Sequence, residues 1–172
     1  MQHIETVPVG SGGAASITFS AIPADYTDLY LVCSFRSSLA TSNTSVLVRP
    51  NGATTGLSTR ILQGDGSSAS SFAPTTIPFL MPAATNTANT FGVASVYIPN
   101  YLSSVAKSFS IEDVTENNGT TAGQRITAGL WTGTVAITSI DLVPESGGNF
   151  VEFSSASLYG ITAGSDGIVA VS

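Results

Sequence analysis

The sequence predicts an all-β protein, a jelly-roll-like antiparallel β-sandwich of about nine or ten strands. Three observations lead there. No segment sustains a helical period of apolar residues. Turn-rich clusters of Gly, Pro, Asn and Ser recur along the chain, roughly every ten to fifteen residues, and short β-branched or aromatic runs lie between them. Eight or more such strands with long end loops suit a jelly roll better than a single closed barrel. At 172 residues the chain is long enough for one domain with a full core. That domain is expected over residues 1–161, with 162–172 as a small, polar C-terminal tail on the surface or against a neighbouring subunit.

The strands follow in order. Gln2 to Val9 is the first, ended by Gly10-Ser11-Gly12-Gly13. Ala15 to Ile22 is the second, with Ile17 and Phe19 on one face, and Pro23-Ala24-Asp25 turns the chain. Asp28 to Ser37 is apolar on both faces: Leu29, Leu31, Cys33 and Phe35 on one, Tyr30 and Val32 on the other. Such a strand is central or lies under a subunit contact. Thr44 to Arg49 points Val46 and Val48 one way and Leu47 the other, before the turn Asn51-Gly52. Leu57 to Gln63 is a weaker strand. Residues 64–76 and 82–89 read as long loops. Ile77 to Met81 lies between them, bracketed by Pro78 and Pro82, and proline cannot donate to a ladder, so it is an edge strand or none. Phe91 to Ile98, Lys107 to Val114 and Arg125 to Trp131 complete the middle of the chain.

Ala136 to Ile161 reads as the hairpin that the other strands cover. Ile140 and Leu142 share a face of its first arm, and Val151, Phe153, Tyr159 and Ile161 share a parity in its second. Pro144-Glu145-Ser146-Gly147-Gly148-Asn149 carries the residues that reverse a chain. Phe150, Phe153, Leu158 and Ile161 are expected in the core, where an aspartate would prevent folding.

Composition limits function. Charged residues are only 9% of the chain, against roughly 25% in an ordinary soluble domain. A surface of Ser, Thr, Asn, Gly and Ala loses little side-chain entropy on contact, which suits assembly. The net charge is −6, and Arg36, Arg49, Arg60, Lys107 and Arg125 are scattered, so no nucleic-acid partner is expected. No apolar run approaches the roughly 18 residues that span a bilayer, and no membrane partner is expected. MQHIETVPV has neither the basic nor the apolar region of a signal peptide. Cys33, alone, excludes an intrachain disulfide and sits in the apolar run LYLVCSF as a core residue.

Residues that could carry chemistry are sparse. His3, the only histidine, lies near a terminus, without the packed surroundings that a Ser/His/Asp triad needs. Glu112, Asp113 and Glu116 form the only acidic cluster, and in a strand Glu112 and Asp113 point to opposite faces. Asp28 or Asp65 could join one of them across the fold. No His/Cys cluster exists for zinc. Gly64-Asp65-Gly66-Ser67 and the run from Glu112 to Asn118 are weak calcium candidates, whose simpler reading is a turn. Trp131, Tyr97, Tyr101 and Tyr159 could stack on sugar rings or serve packing. Asn43-Thr44-Ser45 and Asn118-Gly119-Thr120 match the glycosylation acceptor pattern, which matters only in a eukaryotic secretory setting. No catalytic, cofactor-binding or metal-ligating residue is assigned, and no enzyme activity or cofactor is expected.

Several segments carry a resemblance. IETVPVGSGGAASITFSAIPADYTDLYLVCSFR runs from Ile4 to Arg36, TANTFGVASVYIPNY from Thr87 to Tyr101, DVTENN from Asp113 to Asn118, ITAGLW from Ile126 to Trp131, and the expected hairpin from Ala136 to Ile161. Together they resemble small virion proteins of tailed bacteriophages. These motifs are strand and turn signatures without catalytic content. The resemblance implies a β-sandwich, commonly a homotrimer, on the outer surface of the phage particle. It further implies a capsid decoration (cement) protein whose partner is the major capsid protein. The alternative is a tail or head fibre module that presents loops 64–76 and 82–89 to a host-surface glycan.

Overall fold

The computed structural model describes residues 1–118 and 122–162. The expected tail beyond Thr162, and part of the triplet Asn118-Gly119-Thr120, lie outside the described residues. Among the described residues there are twelve strands rather than nine or ten: β1 (Gln2–Pro8), β2 (Ile17–Phe19), β3 (Asp28–Phe35), β4 (Asn43–Pro50), β5 (Leu57–Gly64), β6 (Ala69–Phe72), β7 (Pro78–Pro82), β8 (Gly92–Ile98), β9 (Lys107–Thr115), β10 (Gly123–Trp131), β11 (Ile140–Pro144) and β12 (Ser155–Ile161). They form an eight-stranded sheet, β1-β12-β3-β8-β9-β10-β5-β6, and a four-stranded sheet, β2-β11-β4-β7.

The jelly roll emerges when β5, β6, β9 and β10 are set aside. The other strands pair as nested antiparallel couples: β1 with β12, β2 with β11, β3 with β8, and β4 with β7. From β1 to β4 the chain alternates between the sheets. This is a long two-stranded ribbon rolled over on itself. Two hairpins interrupt it, β5–β6 between β4 and β7, and β9–β10 between β8 and β11. Both add to one edge of the large sheet, through the long-range pairing of β10 with β5.

The expected hairpin from Ala136 to Ile161 is not one. Its arms lie in different sheets, because β11 pairs with β2 and β4 while β12 pairs with β1 and β3. Between them a short 3-10 turn, Glu145–Gly147, leads to Phe150, which bridges to Ala14 and Ser37. The Phe150 ring is fully buried, 4.4 Å from that of Phe35. Turn residues mark where a chain reverses but not which strand it meets. The expected parity of the second arm also fails. Phe153 is 78% exposed and Ile161 only half-buried, whereas Ala156 and Leu158 fill the core. A turn at Glu152–Phe153 breaks the alternation, and a one-residue slip exchanges the faces.

Other expectations fare better. β3 is central, between β12 and β8. β7 is an edge strand of the small sheet, where its prolines cost no ladder bond that the sheet needs. The second strand shortens to Ile17–Phe19. Residues 64–76 are not one loop, since β6 pairs with β5 across a turn that Asp65 caps by accepting from the Ser67 and Ser68 amides at 2.9 and 2.7 Å.

Both sheets bury one face against the other. Phe19, Leu31, Phe35, Val48, Phe79, Val96, Leu142 and Leu158 are all essentially inaccessible. Each such side chain contributes about 1.5–3 kcal/mol. Two buried cations close the ends of the core. Arg36 donates to the carbonyls of Thr87, Thr90 and Asn86 at 2.8, 2.9 and 3.1 Å, so the loop between β7 and β8 is tied to the end of β3. Lys107 donates to the carbonyls of Ser103, Val105 and Val135 and sits 5.9 Å from the Trp131 ring.

Candidate functional site

The inner face of the large sheet is committed to packing, so its outer face is where function can be sought. Register places the side chains of that face in rows running across the strands. One row reads Val93, Val114 and Gln124 on β8, β9 and β10. The next reads Thr6, Ser157, Val32, Ser95, Glu112, Ile126 and Leu62, from β1 to β5. The third reads His3, Tyr159, Tyr30, Tyr97, Ser110, Ala128 and Arg60.

These rows divide the face in two. Over the inserted strands it is apolar: Val114, Ile126, Leu62 and Leu130 are all exposed, with Val93 beside them on β8. Ile126 and Leu62 are direct cross-strand neighbours, as are Val93 and Val114. A depression of about 480 Å³ lies there, lined by Leu62, Val114 and Ile126 together with Asp65 and Glu116. Apolar side chains exposed side by side, rather than singly, are candidates for an interaction site.

Over the jelly-roll strands the face is aromatic. His3, Tyr159, Tyr30 and Tyr97 occupy four adjacent strands, one residue each. The His3 and Tyr159 rings meet edge-on at 5.5 Å. His3 Nε2 lies 2.8 Å from the Thr6 hydroxyl, which lies 2.8 Å from that of Ser157. At the other end Tyr97 donates to the buried Asp28 carboxylate at 2.8 Å, and the Asn100 amide donates to the same group at 2.9 Å.

Of the four aromatic residues singled out from the sequence, the structure brings together Tyr97 and Tyr159. Trp131 and Tyr101 are buried and serve packing; the Tyr101 hydroxyl donates to the Pro23 carbonyl. Tyr30 and His3 are members that the sequence reading did not group with them. Tyr30 lay in the apolar strand, on the face opposite Leu29 and Leu31, and that parity was the available signal. Glu112 and Asp113 stand on opposite faces, Glu112 in solvent and Asp113 in the interior. Asp65 serves its turn, and the serine amides and hydroxyls that it accepts from hold its carboxyl well below the usual range. Among the described residues no cluster of His, Cys, Asp or Glu could hold a metal ion. Burial pushes the Cys33 thiol up, as fits a core residue. Asn43 lies in β4, its side-chain oxygen accepting from Asn86 at 2.8 Å.

Two further features were not legible beforehand. Phe153 holds a left-handed backbone, φ 69°, while exposing its ring. A bulky residue with positive φ is a true outlier. Asp113 is buried beside Arg125, its cross-strand partner, and among the described residues its carboxylate oxygens make no well-formed hydrogen bond, the Leu80 amide being only a marginal contact. Burial pushes its carboxyl up to about 7, with the Arg125 charge and the Leu80 amide pulling the other way.

The chain matches no family model, no curated protein and no solved structure.

Proposed function

We propose that this chain is a structural virion protein of a tailed bacteriophage, a capsid decoration protein that binds the major capsid protein and bridges neighbouring capsid subunits from outside. The observation that carries this reading is the apolar half of the outer face, from Val93 to Leu62, on a protein otherwise poor in charge. The motif resemblance supports an assembly role. The mechanism is binding energy alone. Contacts across capsomer boundaries favour the closed shell by mass action. A homotrimer would match a local threefold site and multiply weak contacts. The test is to mix purified protein with undecorated capsids and pellet them. Saturable binding at a stoichiometry matching threefold sites is expected; no binding would overturn the reading.

A second reading is favoured by the aromatic row: a head or tail fibre module that meets a glycan on the host surface. The loops expected to present the site are tied down, by Asp65 in one case and Arg36 in the other. On this reading the contact is the sheet face. Pelleting with bacterial cells that the virion infects separates the two.

A further inference from the structure

We propose that the row His3–Tyr159–Tyr30–Tyr97 is a stacking platform for a neutral, extended polysaccharide lying across the strands. This rests on the second reading above and assigns its site and ligand class. The rings stand one per strand on four adjacent strands. At about 4.8 Å between strands they cover roughly 14 Å. That is a length for a polymer of repeating rings rather than for a single small molecule. Tyrosine offers an apolar ring face together with a hydroxyl tip, which suits a ligand with C–H faces and hydroxyl edges.

The two ends of the row are held before any ligand arrives. The Tyr97 hydroxyl is fixed on Asp28, and His3 is fixed between the Thr6 hydroxyl and the Tyr159 ring. A platform already ordered loses little entropy on binding. Its border is made of hydroxyls: Thr6, Ser157, Ser95 and Ser110 stand in or next to the row on the same face.

Charge selects the ligand. Asp28, the carboxylate at the border, is occupied by Tyr97 and Asn100. Arg60 lies in the same row but three strands beyond Tyr97. Arg36 and Lys107 are buried and bound to carbonyls. An anionic polymer therefore finds no lysine or arginine over the tyrosines and meets the exposed Glu112 carboxylate in the next row, and a protein partner would gain more on the apolar half. A neutral polyhydroxylated chain matches the rings and hydroxyls that stand over these four strands.

The experiment is electrophoresis of the full chain through native gels cast with dextran, mannan, hydroxyethylcellulose or galactan, with alginate as the anionic comparison. Retardation by at least one neutral polymer and none by alginate is expected. Tyr30→Ala and Tyr159→Ala should each weaken that retardation at least tenfold, with Tyr97→Phe, which keeps its ring, weakening it less. Ile126→Ser, on the apolar half, should leave it unchanged. Circular dichroism and melting temperature confirm that each variant folds. No retardation by any neutral polymer, equal retardation of folded Tyr30→Ala, or stronger retardation by alginate overturns the platform. Cell binding distinguishes the layers. If cells bind wild type and folded tyrosine variants equally, the host-glycan reading survives and the platform falls. If the neutral polymer is bound through the tyrosines but cells are not, the platform survives and that reading falls.

Discussion

At the scale of single residues, Asp113 sets a pH dependence whose sign is unambiguous. In the folded chain its carboxyl is pushed up to about 7, chiefly by burial, whereas an unfolded aspartate titrates near 3.9. The folded state therefore binds more protons than the unfolded state between these values. Its stabilising share is whole below about pH 4 and is lost as pH rises through about 7, a change of at most ~4 kcal/mol. Urea midpoints measured from pH 4 to pH 8 should fall for wild type and stay flatter for Asp113→Asn, with the variant the more stable at pH 8. Parallel curves would show that Asp113 does not titrate in this range. Phe153 offers a second test, because it pairs an exposed ring with a left-handed backbone. Phe153→Gly should stabilise the fold by about 0.5–1 kcal/mol, since relief of about 1–2 kcal/mol of strain exceeds the added chain entropy. Phe153→Asp should fold normally, whereas Phe150→Asp and Leu158→Asp should not. Thermal melts of the set read this directly. A destabilised Phe153→Gly would mean that the ring packs in solution.

At the scale of elements, the loop between β7 and β8 is gathered by the Arg36 side chain, beside the backbone bonds that Ala83, Ala84 and Thr85 donate to Ser42, Leu39 and Thr41. Arg36 gathers the carbonyls of Thr87, Thr90 and Asn86, with Asn86 also bonded to Asn43 and Asn117. Arg36→Met keeps the apolar stem but removes the guanidinium donor, leaving the Thr87 carbonyl only its bond from the Thr90 hydroxyl, at a cost of about 3 kcal/mol. Hydrogen exchange should quicken in residues 83–91 before it does in β3. Unchanged protection there would refute the role. This element also shows what could be read in advance. Most strands were legible because a sandwich buries alternate residues, and β8, β9 and β10 print that alternation without interruption. The false hairpin was not avoidable on local grounds. The segments of β11 and β12 are apolar, adjacent and joined by turn residues, and only pairing with β2, β4, β1 and β3 sends them to separate sheets. β6 was missed because Ala69-Ser70-Ser71-Phe72 is exposed throughout and carries no alternation. Half of the aromatic row was visible as Tyr97 and Tyr159. The rest required the register of β1, β12 and β3, which no local pattern contains.

At the scale of the whole molecule, the two inserted hairpins are what make the protein asymmetric. A bare jelly roll would place four strands over four; here the large sheet carries four more, β9, β10, β5 and β6, and β7 of the small sheet packs against β9 and β10. The extension doubles the open face, and its outer side is where Val114, Ile126 and Leu62 stand exposed in neighbouring positions. Keeping such side chains in water has no benefit for a solitary sandwich. Replacing all three with serine should therefore leave the fold intact, because none of them supports the core, and serine remains compatible with a strand. The effect should appear in assembly instead. If each side chain contributes about 1 kcal/mol when covered, the triple variant loses about 3 kcal/mol of contact, a weakening of roughly a hundredfold. Sedimentation equilibrium of the free protein and pelleting with undecorated capsids divide the cause. Loss of capsid binding with self-association unchanged would place the capsid on the inserted strands. Loss of self-association would make this face the contact between copies. Equal behaviour of variant and wild type in both assays, with the melting temperature preserved, would remove the apolar half from any interface and leave the aromatic row as the working part of the face.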